Sequence, residues 1–155
     1  MEPSFEKLLV LLADAGVKFV LVGGVAVTLN GYVRLTEDVD VIVDARLENI
    51  ERLISALSGW GEGFARELNP ADFPDEEGAV RVVEEIERCQ IDIFTTMIGL
   101  HYDDLVADAG TLGLRGHAIR YASKRTLLRL KSGSLREKDR IDALALRQLL
   151  DRESS

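Results

Sequence analysis

The apolar positions near the start of the chain change from helical spacing to strand spacing. Apolar residues recur at helical spacing from Phe5 to Leu12, which predicts a helix with Ser4 as its N-cap and Gly16 as its stop signal. The run VKFVLV at 17–22 is short and rich in β-branched residues, as in a buried strand. The sequence therefore predicts a core helix that leads into a core strand.

A glycine pair separates this strand from a second helix and a second strand. Gly23 and Gly24 end the apolar run, and the residues that follow are enough for one short helix that ends at Asn30-Gly31. The segment DVDVIVD at 38–44 then alternates polar and apolar residues, which predicts a strand with one buried face.

The remaining pattern predicts further strands and then helices. The elements are a helix at 47–57 that packs through Leu47, Ile50, Ile54 and Leu57, a long loop at 58–78 with a short strand around Phe64, adjacent antiparallel strands at 79–86 and 89–96, a short helix at 102–109, a hairpin at 111–123 that turns at Arg115-Gly116, and helices at 123–132 and 135–150. This order predicts an α/β (α+β) fold, with a mixed sheet flanked by helices and a C-terminal helical segment. We expect a single domain over 1–155, with a core at about 5–122 and C-terminal helices at about 123–150.

Composition and charge narrow the classes of function. The 155 residues carry a net charge of −8, which argues against broad adhesion to nucleic acid or anionic lipid. The single cysteine, Cys89, cannot form an internal disulfide, and no apolar run reaches the ~20 residues of a membrane span. Glu2 and Glu6 stand where a signal peptide would carry basic residues. We therefore expect a cytoplasmic protein with no membrane partner.

Three acidic residues lie in segments that are otherwise typical of buried strands. Asp38 and Asp40 project to the same side of the second strand, about 6.5–7 Å apart along the chain. Asp92 lies between Ile91 and Ile93 in a later strand, and would complete a three-carboxylate cluster if the two strands are neighbours. Grouped carboxylates repel one another unless a cation lies between them, and oxygen ligands of this kind bind Mg²⁺.

The glycine pair supplies a second element of a nucleotide site. Gly23 and Gly24 come after a strand and open a helix, where backbone amides can approach a phosphate closely. Arg34 and Thr36 precede the acids and could contact a phosphate oxygen or brace the loop. Taken singly, a glycine pair is most often a turn and an Asp-x-Asp most often a solvated edge; their fixed order together with Asp92 is more specific.

This order resembles the nucleotidyltransferase fold of the DNA polymerase beta-like superfamily. Within it, the Arg-x-Thr-x-Asp-x-Asp segment and the C-terminal run KRTLLRLKSGSLREKDRIDALAL are similar to the small bacterial AbiEii/AbiGii-type toxin nucleotidyltransferases. The resemblance implies that Asp38 and Asp40 hold Mg²⁺ or Mn²⁺ and that Asp92 is the third acid and candidate base. It also implies that Lys131 contacts the phosphates of a nucleoside triphosphate (NTP).

The resemblance leads to two functional hypotheses from different classes. The first is an enzyme that transfers a nucleoside monophosphate from an NTP to an acceptor hydroxyl on an RNA end, a protein or a small molecule. The second is an inactive nucleotidyltransferase-like module for regulation or toxin–antitoxin binding. An antitoxin or a second copy of the chain is a possible partner under either hypothesis.

Several residues also have a simpler structural interpretation. Charge runs on helices are usually solvated, and cysteines without an activating neighbour are usually buried. On this basis Lys124, Lys131, Arg136 and Lys138 could be a solvated face, Asp139 and Asp142 could pair with Arg136 or Lys138 at helical spacing, Asp44 could be a cap or surface residue, His101 and His117 could lie at the surface, Cys89 could be a buried thiol, and Trp60 and Phe64 could anchor the glycine-rich loop.

Overall fold

The computed structural model describes residues 2–32, 38–132 and 136–154, and these form a six-stranded mixed sheet flanked by helices. The strands are β1 (Phe19–Val22), β2 (Val39–Val43), β3 (Ala79–Glu84), β4 (Cys89–Phe94), β5 (Gly110–Leu114) and β6 (His117–Tyr121). The helices are α1 (Pro3–Asp14), α2 (Gly23–Leu29), α3 (Leu47–Ser58), α4 (Tyr102–Val106), α5 (Lys124–Lys131) and α6 (Glu137–Glu153). The predicted α/β fold class, with its mixed sheet and C-terminal helices, is confirmed. That the chain is one domain stays a prediction.

The strand order is β3-β4-β2-β1-β6-β5, so the first two strands of the chain, β1 and β2, lie at the centre of the sheet. β1 is antiparallel to β2, and β2 is parallel to β4. The outer pairs β3–β4 and β5–β6 are antiparallel hairpins, as the sequence predicted. All four residues of β1 are buried, because helices cover the centre of the sheet.

The first helix begins one residue earlier than its predicted cap. Glu2 is the N-cap and makes no side-chain cap bond, while Pro3 occupies the first turn, so Ser4 lies inside the helix and the prediction of a Ser4 cap is wrong. Proline is well tolerated there because its fixed φ suits a helix and its missing N–H has no helical partner. The buried face runs from Phe5 to Leu12 as predicted.

Two predictions about the segment after β2 are wrong. Leu47 is 59% exposed, and Leu53 is buried instead. The buried Asn49 orients α3 so that Leu53 lies in the core. Its side-chain amide donates to the carbonyl of Lys18 at 3.0 Å. The stretch around Phe64 forms a 3-10 helix rather than a strand, because Gly63 before it takes a left-handed conformation with φ +78° and the segment packs on α3.

The C-terminal segment matches the prediction closely. Ser123 caps α5 by accepting a hydrogen bond from the backbone N–H of Thr126 at 3.1 Å. α5 packs on α6, and both close over the edge of the sheet where α2 begins. No helix among the described residues combines the length and the apolar character that crossing a membrane requires.

Candidate active site

Parallel pairing of β2 with β4 brings the three predicted acids together. Asp40 and Asp92 are direct register partners, and Asp38 immediately precedes β2 on the same side. One carboxylate oxygen from each of the three residues lies within 4.8 Å of the others. The predicted neighbourhood of the two strands is therefore confirmed, and the three carboxylates could hold a metal ion.

The three carboxyl groups of the cluster differ in the direction of their pKa shifts. Burial, together with the negative charges of Asp38 and Asp92, raises the pKa of Asp40 to about 7. Burial and Asp92 also raise the pKa of Asp38. Burial alone would raise the pKa of Asp92, but hydrogen bonds from Arg81, Asp38 and Asp40 outweigh burial and hold this pKa below its usual value. Asp92 therefore keeps its negative charge, while Asp40 gives up a proton only near neutral pH.

Gly23 is required by the acid beside it. Its φ is +66°, and a Cβ at this position would overlap Oδ2 of Asp40 and lie 2.8 Å from its Cγ. Any other residue would therefore collide with Asp40 and also be strained in its backbone. The glycine at the start of α2 and the aspartate on β2 occupy one compact unit, as the sequence order suggested.

A cleft of about 280 Å³ contains the three acids and both glycines. Its lining combines basic and acidic side chains with several apolar residues. The lining residues are Val22, Gly23, Gly24, Asp38, Asp40, Ala79, Arg81, Asp92, Phe94, Met97, Leu127, Leu130, Lys131, Arg136, Lys138 and Asp139. The structure thus brings Lys131 to the same cleft as the acids and glycines, while Arg34 and Thr36 lie outside the described residues.

Lys131 is not part of a solvated face. Only 8% of the residue is exposed, and its Nζ lies 3.1 Å from Asp139 Oδ1 and 2.9 Å from Asp142 Oδ2. Asp142 is fully buried, so this ion pair joins α5 to α6 in the interior. Asp139 also lies 3.7 Å from Arg136, at the helical spacing that the sequence predicted.

The sequence analysis missed one charged residue of the cleft, Arg81 on β3. Its Nε donates to Asp92 Oδ1 at 2.8 Å and its Nη2 donates to Asp92 Oδ2 at 3.3 Å. Arg81 and Asp92 are direct register partners on the antiparallel strands β3 and β4. The signal was present in the sequence, because an isolated arginine between Val80 and Val82 lies in the strand predicted to pair with that of Asp92.

The structure also shows the positions of residues for which the sequence allowed a simpler structural interpretation. Lys124 pairs with Glu153, and Lys138 and Arg136 line the cleft. Asp44 is buried and accepts hydrogen bonds from the backbone N–H and side chain of Arg46, so it is neither a surface residue nor the N-cap of α3, which is Arg46. Cys89 is a buried thiol, and burial raises its pKa to about 11. Of the aromatic pair, Trp60 is buried as predicted, whereas Phe64 is 51% exposed.

The six-stranded mixed sheet with its flanking helices matches the nucleotidyltransferase fold of solved structures. In solved structures the chain is similar to the lincosamide antibiotic adenylyltransferase LnuA in its lincomycin-bound form, with 22% identity and a TM-score of 0.66, covering 96% of this chain and 98% of that one. It is also similar to an antigenic nucleotidyltransferase-like protein from Paracoccidioides brasiliensis, with 22% identity and a TM-score of 0.58, covering 93% of this chain and 73% of that one. No protein-family model matches the sequence, and no curated protein matches it significantly. The likeness shows the fold, and the nearer resemblance to the AbiEii/AbiGii-type group stays a prediction.

Proposed function

We propose that the protein is a metal-dependent nucleotidyltransferase that moves a nucleoside monophosphate from an NTP to an acceptor hydroxyl. The observation that carries this proposal is the cluster of Asp38, Asp40 and Asp92, packed against Gly23 in one cleft of a nucleotidyltransferase fold. Three carboxylates placed this closely repel one another, and a structural role alone offers no compensation for that repulsion.

The donor set fits a hard divalent cation. All three donors are carboxylate oxygens, which Mg²⁺ and Mn²⁺ accept together with phosphate oxygens. In our proposal Asp38, Asp40 and Asp92 hold the ion. When bound, such an ion neutralises charge on the transferred phosphoryl group.

The remaining steps belong to the side chains of the chain itself. The acceptor oxygen bonds to the α-phosphorus, the bond from that phosphorus to the bridging oxygen breaks, and pyrophosphate leaves with the electron pair. Asp92 accepts the proton of the acceptor hydroxyl, and its low pKa keeps it charged for this purpose at neutral pH. We place the phosphates at the backbone of Gly23 and Gly24, where Gly23 also leaves room for Asp40, and Lys131 supplies a positive charge in the same cleft.

Arg34 and Thr36 are proposed as further phosphate contacts, on the resemblance of their motif alone. The acceptor class is open between an RNA end, a protein hydroxyl and a small molecule. The similarity to a lincosamide adenylyltransferase of nearly the same length favours including lincosamides among the acceptors tested. A toxin role with an antitoxin partner, a homodimer and a cytoplasmic location complete the proposal, the last supported by the single buried cysteine.

The decisive experiment incubates the protein with each α-labelled NTP, Mg²⁺ or Mn²⁺, and acceptor pools of RNA, lysate proteins and small molecules, lincomycin included. We expect label on one pool with the wild type and at least a 100-fold loss in Asp40→Asn, because the metal loses a charged ligand. Asp103→Asn is the matched control, since Asp103 is an exposed acid on α4.

Binding of Mg²⁺-ATP, measured by calorimetry, separates the two hypotheses. Wild-type protein that neither binds Mg²⁺-ATP nor transfers label would contradict the enzyme and favour the regulatory or antitoxin-binding module. Transfer that survives Asp40→Asn would contradict the metal role of Asp40.

A further inference from the structure

The geometry points to Arg81 as a positioning residue that fixes the carboxylate of Asp92 for metal binding, an inference that rests on the proposed function of the acid cluster. Arg81 lies directly opposite Asp92 across the β3–β4 pair. Facing residues on antiparallel strands have Cβ atoms about 4.5–5.5 Å apart, which lets an arginine fork reach the carboxylate across the strands.

Both oxygens of Asp92 receive a hydrogen bond from Arg81. The Nε–Oδ1 distance is 2.8 Å, the Nη2–Oδ2 distance is 3.3 Å, and Gln90 Nε2 lies 3.5 Å from the same Oδ2. A two-point contact of this kind fixes the plane of the carboxylate as well as its position, which a single contact cannot do. Of these contacts, two fall on Oδ2 and one on Oδ1, so Oδ1 keeps a second lone pair that a metal ion can use.

The contrast in exposure supports positioning rather than stabilisation. The side chain of Asp92 is 7% exposed, whereas that of Arg81 is 62% exposed. Ion pairs with an exposed partner contribute little to folding stability, so the pair is a weak explanation for the fold. Charged residues also protect edge strands from pairing, and β3 is an edge strand, but that role does not require a two-point contact with an acid of the cleft.

Side chains that hydrogen-bond a metal-binding carboxylate affect the affinity of the site for its metal by a known amount. Removal of a side chain that orients a metal ligand lowers metal affinity or activity by about 10–100-fold. Arg81 also interacts electrostatically with Asp38 and Asp40, so its influence reaches all three acids. Lysine at this position would retain the charge but offer a single donor group, so it separates charge from orientation.

The test measures Mn²⁺ binding to the full chain by calorimetry, without NTP or acceptor. We expect Arg81→Met to weaken Mn²⁺ binding about 10-fold, and Arg81→Lys to lie between Arg81→Met and the wild type. Arg120→Met is the matched control, because Arg120 is an exposed arginine on β6 and is not among the described residues that line the cleft. Arg120→Met should keep the Tm of the metal-free protein within about 2 °C, and both Arg81 variants should still unfold cooperatively, so that a weaker affinity for Mn²⁺ is not a loss of the fold.

The outcomes of this test are distinct from those of the transfer assay. Unchanged Mn²⁺ affinity in Arg81→Met would overturn the inference, and tighter binding would overturn it too, because Arg81 would then compete with the metal. Weaker binding together with an equal loss in Arg120→Met would also overturn it, as a general effect of charge. If the wild type binds Mn²⁺ but transfers no nucleotide, the proposed function fails while the role of Arg81 at Asp92 is still decided. Where transfer is found, we expect Arg81→Met to lower kcat with little change in the KM for NTP.

Discussion

At the scale of single residues, the site is built from groups that oppose the stability of the protein. Asp40 lies in a partly buried strand beside two further acids, and its pKa of about 7 records how unfavourable its charge is there. The same repulsion creates the affinity for a cation. Under the proposed function, Asp40 serves the binding of a cation rather than the fold.

The raised pKa of Asp40 gives a stability prediction with a definite sign. Between pH 4 and pH 7 the folded protein holds a proton on Asp40 that the unfolded chain, with an ordinary pKa of about 3.9, has lost. The free energy of unfolding must therefore fall as pH rises through this window. Asp92, whose pKa is lowered, acts in the opposite sense and only below pH ~4.

We expect the free energy of unfolding of metal-free Asp40→Asn to match that of the wild type near pH 4 and to exceed it by about 2–4 kcal/mol at pH 8. Urea denaturation in the presence of a chelator measures the difference. Saturating Mg²⁺ should raise the stability of the wild type at pH 8 but not that of the variant. A variant less stable than the wild type at pH 8 would contradict this account of Asp40.

Gly23 gives a second prediction at this scale. Gly23→Ala should destabilise the protein by about 2–4 kcal/mol, because it adds a collision with Asp40 to backbone strain. Gly16→Ala is the matched control: Gly16 has φ +76° with no atom within 4 Å of an added Cβ, so only backbone strain of about 1 kcal/mol is expected. Chemical denaturation compares the two, and equal losses would show that contact with Asp40 is unimportant.

At the scale of elements, the parts that the sequence predicted are those with local signals. The β5–β6 hairpin turns at the predicted Arg115-Gly116, and α5 lies within the range predicted for it. The predictions of a short strand around Phe64 and of the buried face of α3 were wrong, because tertiary contacts determine both. The buried hydrogen bonds of Asn49 are one such contact, and no periodicity in the sequence reveals them.

The candidate site shows the same division between local and long-range signals. Asp38, Asp40 and Asp92 were found because acids are rare in apolar strands, and Gly23 because it follows a strand. The burial of Lys131 was not found, since its ion pair with Asp142 depends on how α5 and α6 pack. Arg81 was missed because an arginine on an edge strand is ordinary until its cross-strand partner is known.

The ion pair between α5 and α6 leads to a prediction for these elements. Asp142→Ala should cost about 1–3 kcal/mol of folding stability, because Lys131 loses its fully buried partner and keeps the ion pair with Asp139. The double variant Lys131→Met with Asp142→Leu should recover most of that loss, since apolar residues of similar size replace the pair. We expect no nucleotide transfer in the double variant, because it lacks Lys131. Denaturation and the transfer assay together test this, and transfer that recovers with stability would show that Lys131 serves only the fold.

At the scale of the whole molecule, the net charge of −8 surrounds a cleft that carries local cations. A long RNA would gain little from counterion release over such a surface. We expect non-specific RNA binding weaker than about 10⁻⁴ M at 150 mM salt, measured by fluorescence anisotropy with a labelled single strand. Micromolar binding that weakens steeply with salt would contradict this expectation and would favour RNA as the acceptor.

The parallel pairing of β2 with β4 also has a consequence for the order of events during synthesis. Asp38 and Asp40 leave the ribosome long before Asp92, and the third acid reaches them only after the β3–β4 hairpin joins the centre of the sheet. A growing chain that stops before β4 thus exposes two acids with no third partner. Under the proposed function, the metal-binding cluster is complete only after more than half of the chain has been made, so no shorter nascent form would carry the activity.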